Sequence, residues 1–282
     1  MEVGQWKFST FFKSNHMKRI LVYKNKIPRI TTEQMIEVDR LMMKKYQIDL
    51  IQMMENAGRC LAILARDQFL KKSLKKKQVI VLAGSGGNGG GALVCARRLY
   101  NWGVNVKVYL SREPDRMTPI AAHQLTCLKQ MGVEINHGKT LSNNFKADLI
   151  IDGMIGYSIK GNPIGTTKRM ITWANAQTIP KLSLDTPSGL DLTSGRVCTP
   201  AVNANATLTL ALPKKGLFSS NALKIRGALF LGDISVPKEL YAEKQLKLKV
   251  PKSLFAMADV LKIDADKYST VSYTHLTLPT KA

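Results

Sequence analysis

No apolar stretch among the 282 residues approaches the roughly 20 needed for a bilayer-spanning helix, so a soluble protein with no membrane partner is expected. Cysteine is sparse. Cys60, Cys95, Cys127 and Cys198 lie far apart, form no C-x-x-C pair and have no histidine cluster beside them. That spacing argues against a zinc site or a disulfide framework and suits buried thiols of a reducing compartment, which makes the cytoplasm the expected location. Acidic residues are also few, 20 against 42 Lys and Arg, for a formal charge of +22. Part of the excess is local: Lys71, Lys72, Lys75, Lys76 and Lys77 form one run, and residues 1–26 carry six basic residues against Glu2 alone. The 71–77 run lacks interleaved aromatics and no nucleic-acid module accompanies either stretch, so they read as solvated surface rather than a nucleic-acid face. The alternative is a general field that attracts phosphate-bearing ligands or acidic surfaces.

The chain is organised around residues 79–97, VIVLAGSGGNGGGALVCAR. Residues 79–83 are apolar without alternation, as in a parallel strand buried on both faces. Gly84, Gly86, Gly87, Gly89, Gly90 and Gly91 follow, and Leu93, Val94, Ala96 and Leu99 then supply one face of a helix. Strand, glycine loop and helix start together form an anion-binding arrangement. The G-x-G-x-x-G pattern fits at Gly84, Gly86 and Gly89, but the Gly-Lys-Ser/Thr ending of a P-loop is missing, which disfavours nucleoside triphosphate hydrolysis. Asn88 stands among the glycines as a polar group able to face a ligand or an ion.

Residues 1–26 form a basic extension, either a mitochondrial transit peptide or a segment upstream of a start at Met17. A folded unit is expected over 27–240, a basic extension over 241–270 and a non-native tail over 271–282. Thr31 with Gln34 reads as a capping box before an apolar stripe of Met35, Val38, Leu41 and Met42. A second helix opens at Asp49, its Met53 and Met54 read as core or dimer packing. Beyond the glycine loop come a strand over 104–110, a helix over 119–131 and a short strand over 133–135, giving βαβαβ order.

Two later apolar runs, 147–151 and 180–184, end in Asp152 and Asp185. In an open parallel sheet, ligands bind outside the carboxyl ends of strands near a switch point, so Gly84, Asp152 and Asp185 can converge there. Either aspartate alone would also suit a cap or turn. The loop Gly156, Tyr157, Ser158, Ile159, Lys160, Gly161 and Asn162 offers one cation and two glycines, suited to a nucleotide phosphate or ring. In 185–191, Pro187 and Gly189 constrain a turn presenting Asp185, Ser188 and Asp191. Strands over 207–212 and 228–231 follow, with Pro213-Lys-Lys-Gly216 as the turn between them.

These segments resemble the NAD(P)H-hydrate epimerases, the YjeF N-terminal domain family. The resemblance runs from about Ile27 to Pro237 and rests on Met54-Glu-Asn-Ala-Gly58, the 84–91 loop with Leu93-Val-Cys-Ala-Arg97, Asp152-Gly-Met-Ile-Gly156, Asp185-Thr-Pro-Ser-Gly189 and Leu212-Pro-Lys-Lys-Gly216. It implies a three-layer α/β/α Rossmann-like fold with a mostly parallel central sheet, usually homodimeric. It also implies an isomerase that interconverts the R and S forms of NADHX and NADPHX, hydrated nicotinamide cofactors, for a separate dehydratase. The length beyond residue 240 is short for a fused dehydratase, so the epimerase alone is expected.

Carried over residue by residue, the family's potassium site falls on Asn88, Asp152 and Ser188. Its substrate contacts fall on Gly87, Asn88, Gly89, Gly90, Gly91, the 156–162 loop and Asp185. Asp185 is the expected acid/base, with Lys160 assisting by its charge. The family loop usually reads G-x-G-N-N-G-G-D-G; here Gly87 replaces the first Asn, Gly91 the Asp and Ala92 the last Gly, and Asn162 stands where an acid is common. Two other classes fit the same residues: a non-catalytic domain, as in decapping or apolipoprotein-binding proteins, and a nicotinamide-dependent dehydrogenase. The absence of a separate substrate domain counts against the dehydrogenase.

Overall fold

A computed structural model describes residues 20–71, 73–142 and 146–264. The proposed tail over 271–282, and most of the 1–26 extension, lie outside the described residues.

The strands are β1 Leu21–Tyr23, β2 Gln78–Ala83, β3 Asn105–Leu110, β4 Glu134–His137, β5 Leu149–Gly153, β6 Lys181–Leu184, β7 Ala206–Leu210, β8 Ala228–Gly232 and β9 Val260–Ile263. The helices are α1 Thr32–Lys44, α2 Leu50–Leu64, α3 Gly87–Asn101, α4 Pro119–Gln130, α5 Gly165–Ala176 and α6 Ser220–Ile225. Thr31 caps α1 through the expected reciprocal pair: Gln34 N–H donates to Thr31 Oγ1 at 3.2 Å, and Thr31 N–H to Gln34 Oε1 at 3.0 Å.

The strands form one sheet in the order β1-β9-β8-β7-β6-β5-β2-β3-β4. Every neighbouring pair is parallel except β8 with β9. The chain leaves β2 outward through β3 to β4, then returns to lay β5 on the other side of β2. The switch point therefore lies between β2 and β5. Alternate residues of each strand enter different layers. Val79, Val81 and Ala83 pack with Leu61, Leu93, Leu99 and Leu125 of α2, α3 and α4. Ile80 and Leu82 pack with Met170, Ile171 and Trp173 of α5, and Leu229 and Leu231 pack with Val38 and Met42 of α1. This is the three-layer α/β/α arrangement with a mostly parallel sheet.

The structure departs from the sequence reading in four places. First, α3 begins at Gly87, inside the glycine run, because close packing rather than loop flexibility is what those glycines serve. A Cβ at Gly89 would lie 1.9 Å from Gly84 O, and one at Gly84 would lie 2.0 Å from Met154 O. Second, residues 213–216 are not by themselves the connection between the two strands, which runs on to Gly227. β7 and β8 are parallel, so the chain must cross over between them and does so through α6, and Lys214 is pinned by an isolated bridge to Ile30. Third, the folded unit overruns 27–240 at both ends: β1 and β9 complete the sheet edge, and Leu246 and Leu254 are buried in the same cluster as α1. The basic character of 241–264 and the irregular spacing of its buried Leu246, Leu254, Val260, Leu261 and Ile263 concealed this packing. Fourth, α5 was not legible, since its threonines and tryptophan are weak helix formers and its helicity comes from packing under β2 and β5.

Candidate active site

A cavity of about 520 Å³ opens at the switch point. Its walls include Ser85, Gly86, Gly87 and Asn88 after β2, residues 154–164 after β5, Asp185 after β6, Lys214 after β7, and Asp39, Met53, Met54 and Ala57 from α1 and α2. Several strand ends and one buried helix pair thus converge, as an open parallel sheet allows at its carboxyl edge.

Asp185 is 4% exposed and its backbone φ is 63°, a left-handed conformation costly for a residue with a side chain. Its N–H donates to Leu208 O at 2.7 Å, which ties the strained residue to β7. Lys214 Nζ donates to Asp185 Oδ1 at 2.6 Å, and both side chains are almost wholly buried. Thr209 Oγ1 lies 3.4 Å from the same oxygen. The cation beside Asp185 is therefore Lys214, which the sequence reading had placed only in a turn. Lys160 is exposed on the cavity rim.

Asp152 and Ser188 lie beneath the cavity floor. Register sets Asp152 beside Ser183 across β5 and β6, and Ser183 Oγ donates to Asp152 Oδ2 at 2.8 Å. Ser188 donates to the same carboxylate through its N–H at 2.8 Å and its hydroxyl at 2.5 Å, while Ile155 N–H donates to Ser188 Oγ at 2.9 Å. Burial pushes the Asp152 carboxyl up, and these donors from Ser188, Ser183 and Met154 oppose that shift. The pair braces the loops after β5 and β6. Asn88 Nδ2 donates to Leu184 O at 3.0 Å, which fixes the amide beside the Asp185 backbone.

The remaining expected contacts divide. Gly87, Asn88 and all seven residues of 156–162 line the cavity, whereas Gly89, Gly90 and Gly91 are buried in helix packing. A Cβ at Gly91 would lie 2.8 Å from Leu184 Cδ2, so an aspartate there would have to displace that methyl group. Asn162 Oδ1 accepts from Thr199 N–H at 3.1 Å. Met53 and Met54, read as core or dimer packing, are buried and also form cavity wall.

Asp39 and Lys214 escaped the sequence reading. Tyr157 OH donates to Asp39 Oδ2 at 2.8 Å, and burial pushes the Asp39 carboxyl up to about 6, with the Tyr157 bond and the Lys214 charge opposing. Burial and Asp39 also raise Tyr157, so it remains a protonated donor. A signal for Asp39 was present: it sits between Met35 and Met42 at spacings of four and three, a lone carboxylate on the apolar face of α1. Among the described residues, no group of three His, Cys, Asp or Glu side chains is arranged to hold a metal, and no helix is long and apolar enough to cross a membrane.

An open, doubly wound sheet with a glycine-lined crevice at its switch point and buried carboxylates at the strand ends defines a Rossmann-like α/β protein. Residues 50–216 match the family model described as YjeF-related protein N-terminus. The chain is 39% identical over 225 residues to an NAD(P)H-hydrate epimerase of Dehalogenimonas lykanthroporepellens, covering 78% of this chain and 87% of that one. It is 30% identical over 228 residues to the bifunctional NAD(P)H-hydrate repair enzyme Nnr of Moorella thermoacetica, where it spans only 43% of the relative's length. The crystal structure of yeast ynu0, YNL200c, superposes with a TM-score of 0.70 at 26% identity, covering 84% of this chain and all of that one. The chain belongs to the YjeF-related N-terminal family.

Proposed function

We propose that this chain is an NAD(P)H-hydrate epimerase, an isomerase that interconverts the R and S configurations at C6 of the hydrated nicotinamide ring of NADHX and NADPHX. The observation that carries the reading is the convergence of Asp185, the Gly87–Asn88 turn and the 156–162 loop on one cavity, in a chain 39% identical to an epimerase. The C6 centre is a carbinolamine, so inverting it requires a proton to be delivered to and removed from the oxygen it bears. Asp185 lies in the cavity wall, held by Lys214, and acts as that acid/base. Lys160 on the rim and the backbone of the glycine turn suit the pyrophosphate.

The donor set at Asn88, Asp152 and Ser188 suits a potassium ion. All three offer oxygen, the Leu184 and Ile155 carbonyls contact the Asn88 and Ser188 side chains, and the donors that meet the buried Asp152 carboxylate are all neutral. When bound, the ion would supply a fixed positive charge next to the substrate loops. Bifunctional relatives join two repair activities in one chain, which supports coupling of this epimerase to an S-specific dehydratase. A homodimer is the expected assembly. The free, mostly buried cysteines suit the cytoplasm, with a mitochondrial destination if residues 1–26 act as a transit peptide. The test is to add the protein to mixed NADHX epimers together with an S-specific dehydratase and follow recovered NADH absorbance. Rapid consumption of the R form is expected, and no acceleration over spontaneous epimerisation would refute the assignment.

A further inference from the structure

Two carboxyl groups face the cavity, and Lys214 is committed to only one of them. Its ammonium has three hydrogens, and Asp185 Oδ1 at 2.6 Å, Leu210 O at 2.8 Å and Thr209 Oγ1 at 3.4 Å provide three acceptors. Asp39 enters the cavity from a different wall, α1, and its hydrogen-bond donor is the neutral Tyr157 hydroxyl. The charged and titratable groups facing Asp39 are Tyr157 from the loop after β5, Asp185 at the end of β6 and Lys214 after β7. The α2 residues beside them at the cavity, Leu50, Met53 and Met54, are apolar. One carboxylate thus pairs with a buried cation, and the other is desolvated and, among the described residues, accepts one hydrogen bond, from a neutral hydroxyl. A carboxylate paired with a buried cation is placed to accept a proton, and a carboxyl buried without a cation of its own is placed to donate one.

We propose that Asp39 is a second catalytic residue, donating a proton to the C6 hydroxyl while Asp185 accepts one; this rests on the epimerase reading. Asp39 protonates the hydroxyl, and the C6–O bond breaks with its electron pair leaving on water. The ring nitrogen lone pair forms the N1–C6 double bond of an iminium. A solvent water then adds to the other face of C6, its oxygen lone pair making the new bond as the double-bond pair returns to nitrogen, and Asp185 takes the released proton. Substrate and product have the same composition. One proton has passed from Asp39 to Asp185, and it returns through solvent or in the reverse turnover. The raised Asp39 carboxyl, up to about 6, retains its proton closer to neutrality than an ordinary aspartate would. Tyr157 fixes its orientation.

The full chain and its Asp39→Asn, Asp39→Glu and Tyr157→Phe variants are to be compared in the coupled dehydratase assay across mildly acidic to mildly basic pH. Loss of a positioned general acid should lower kcat in Asp39→Asn by about 100-fold or more, with KM changed by less than about threefold, and Asp39→Glu should regain part of the loss. In the parent, kcat should fall as pH rises through about 6, and this limb should vanish in Asp39→Asn. Tyr157→Phe removes a donor to the ionised carboxylate and should move the limb to higher pH. In heavy-oxygen water the S product should carry solvent oxygen. An active parent whose Asp39→Asn variant keeps more than about a tenth of kcat, retains the parent's pH limb, or yields product with its original oxygen overturns the proposal. A parent that gives no acceleration overturns the epimerase reading and this proposal together, so measuring it first separates the two failures. Melting curves check that each variant folds, and if Asp39→Asn does not, Asp39→Glu and the pH limb of Tyr157→Phe decide.

Discussion

Replacing Lys214 with methionine tests the energetics on which the cavity depends. The substitution keeps the length of an apolar stem and removes the ammonium from a pair whose side chains are 1% and 5% exposed. Asp185 would keep a 3.4 Å contact from Thr209 Oγ1, and Leu210 O would lose its 2.8 Å donor. Breaking a buried ion pair from one side costs about 3–5 kcal/mol, because the remaining charge stays desolvated. For a domain of this size, about 2–4 °C of melting temperature accompanies each kcal/mol, so Lys214→Met should melt about 6–20 °C below the parent. Removing both charges, as in Asp185→Asn with Lys214→Met, eliminates the orphaned carboxylate. The double variant should therefore be more stable than Lys214→Met alone, with a coupling of about 2 kcal/mol or more. Urea unfolding followed by circular dichroism measures all four proteins of the cycle. A single-variant cost below about 1 kcal/mol, or additive losses in the double variant, would refute the pair as the anchor of Asp185.

Three further outcomes follow from the site. Asp185→Asn keeps the shape and tolerates the left-handed backbone but leaves the buried Lys214 ammonium without its counter-charge, so the variant should fold with a lowered melting temperature. With folding confirmed by its melting curve, turnover should fall about 100- to 10,000-fold in the coupled assay, and a fall of less than about tenfold would make Asp185 a positioning residue. Exchanging potassium for a large organic cation should lower the melting temperature or weaken substrate binding, and Asp152→Ala should abolish that difference; identical behaviour of the parent in both salts would leave Asp152 a brace for the loops. The third concerns pH. Asp39 keeps its proton up to about 6 in the fold but only to 3.8 when unfolded, so the folded state binds the extra proton between those values and stability contributed there is lost as pH rises. At neutral pH the ionised group should cost the fold up to about 3 kcal/mol, and Asp39→Asn should relieve it. The stability difference between variant and parent should therefore grow from acidic to neutral pH in urea titrations, and a pH-independent difference would contradict the desolvation of Asp39.

Local chemistry made much of this protein readable along the chain. The unbroken apolar run ending at Ala83, the capping box at Thr31 and Gln34, and the aspartates closing two later buried runs depend on neighbours a few residues away, so strand, helix start and strand-end carboxylates were all legible. The order of those elements was enough for a parallel sheet with Asp185 at its carboxyl edge. What tertiary structure alone decided is which charges meet. Lys214 and Asp185 are 29 residues apart, and Tyr157 and Asp39 are 118 apart, so no spacing rule connects them. They meet because Ile30, just ahead of α1, bridges to Lys214 and brings the start of the chain against the ends of β6 and β7. The same non-local pairing added β1 and β9 to the sheet, from segments whose basic composition resembled solvated extensions. Burial acts in the same way: a carboxylate on a helix stripe has an ordinary affinity for protons in the unfolded chain, and only the walls that exclude water from Asp39 raise it.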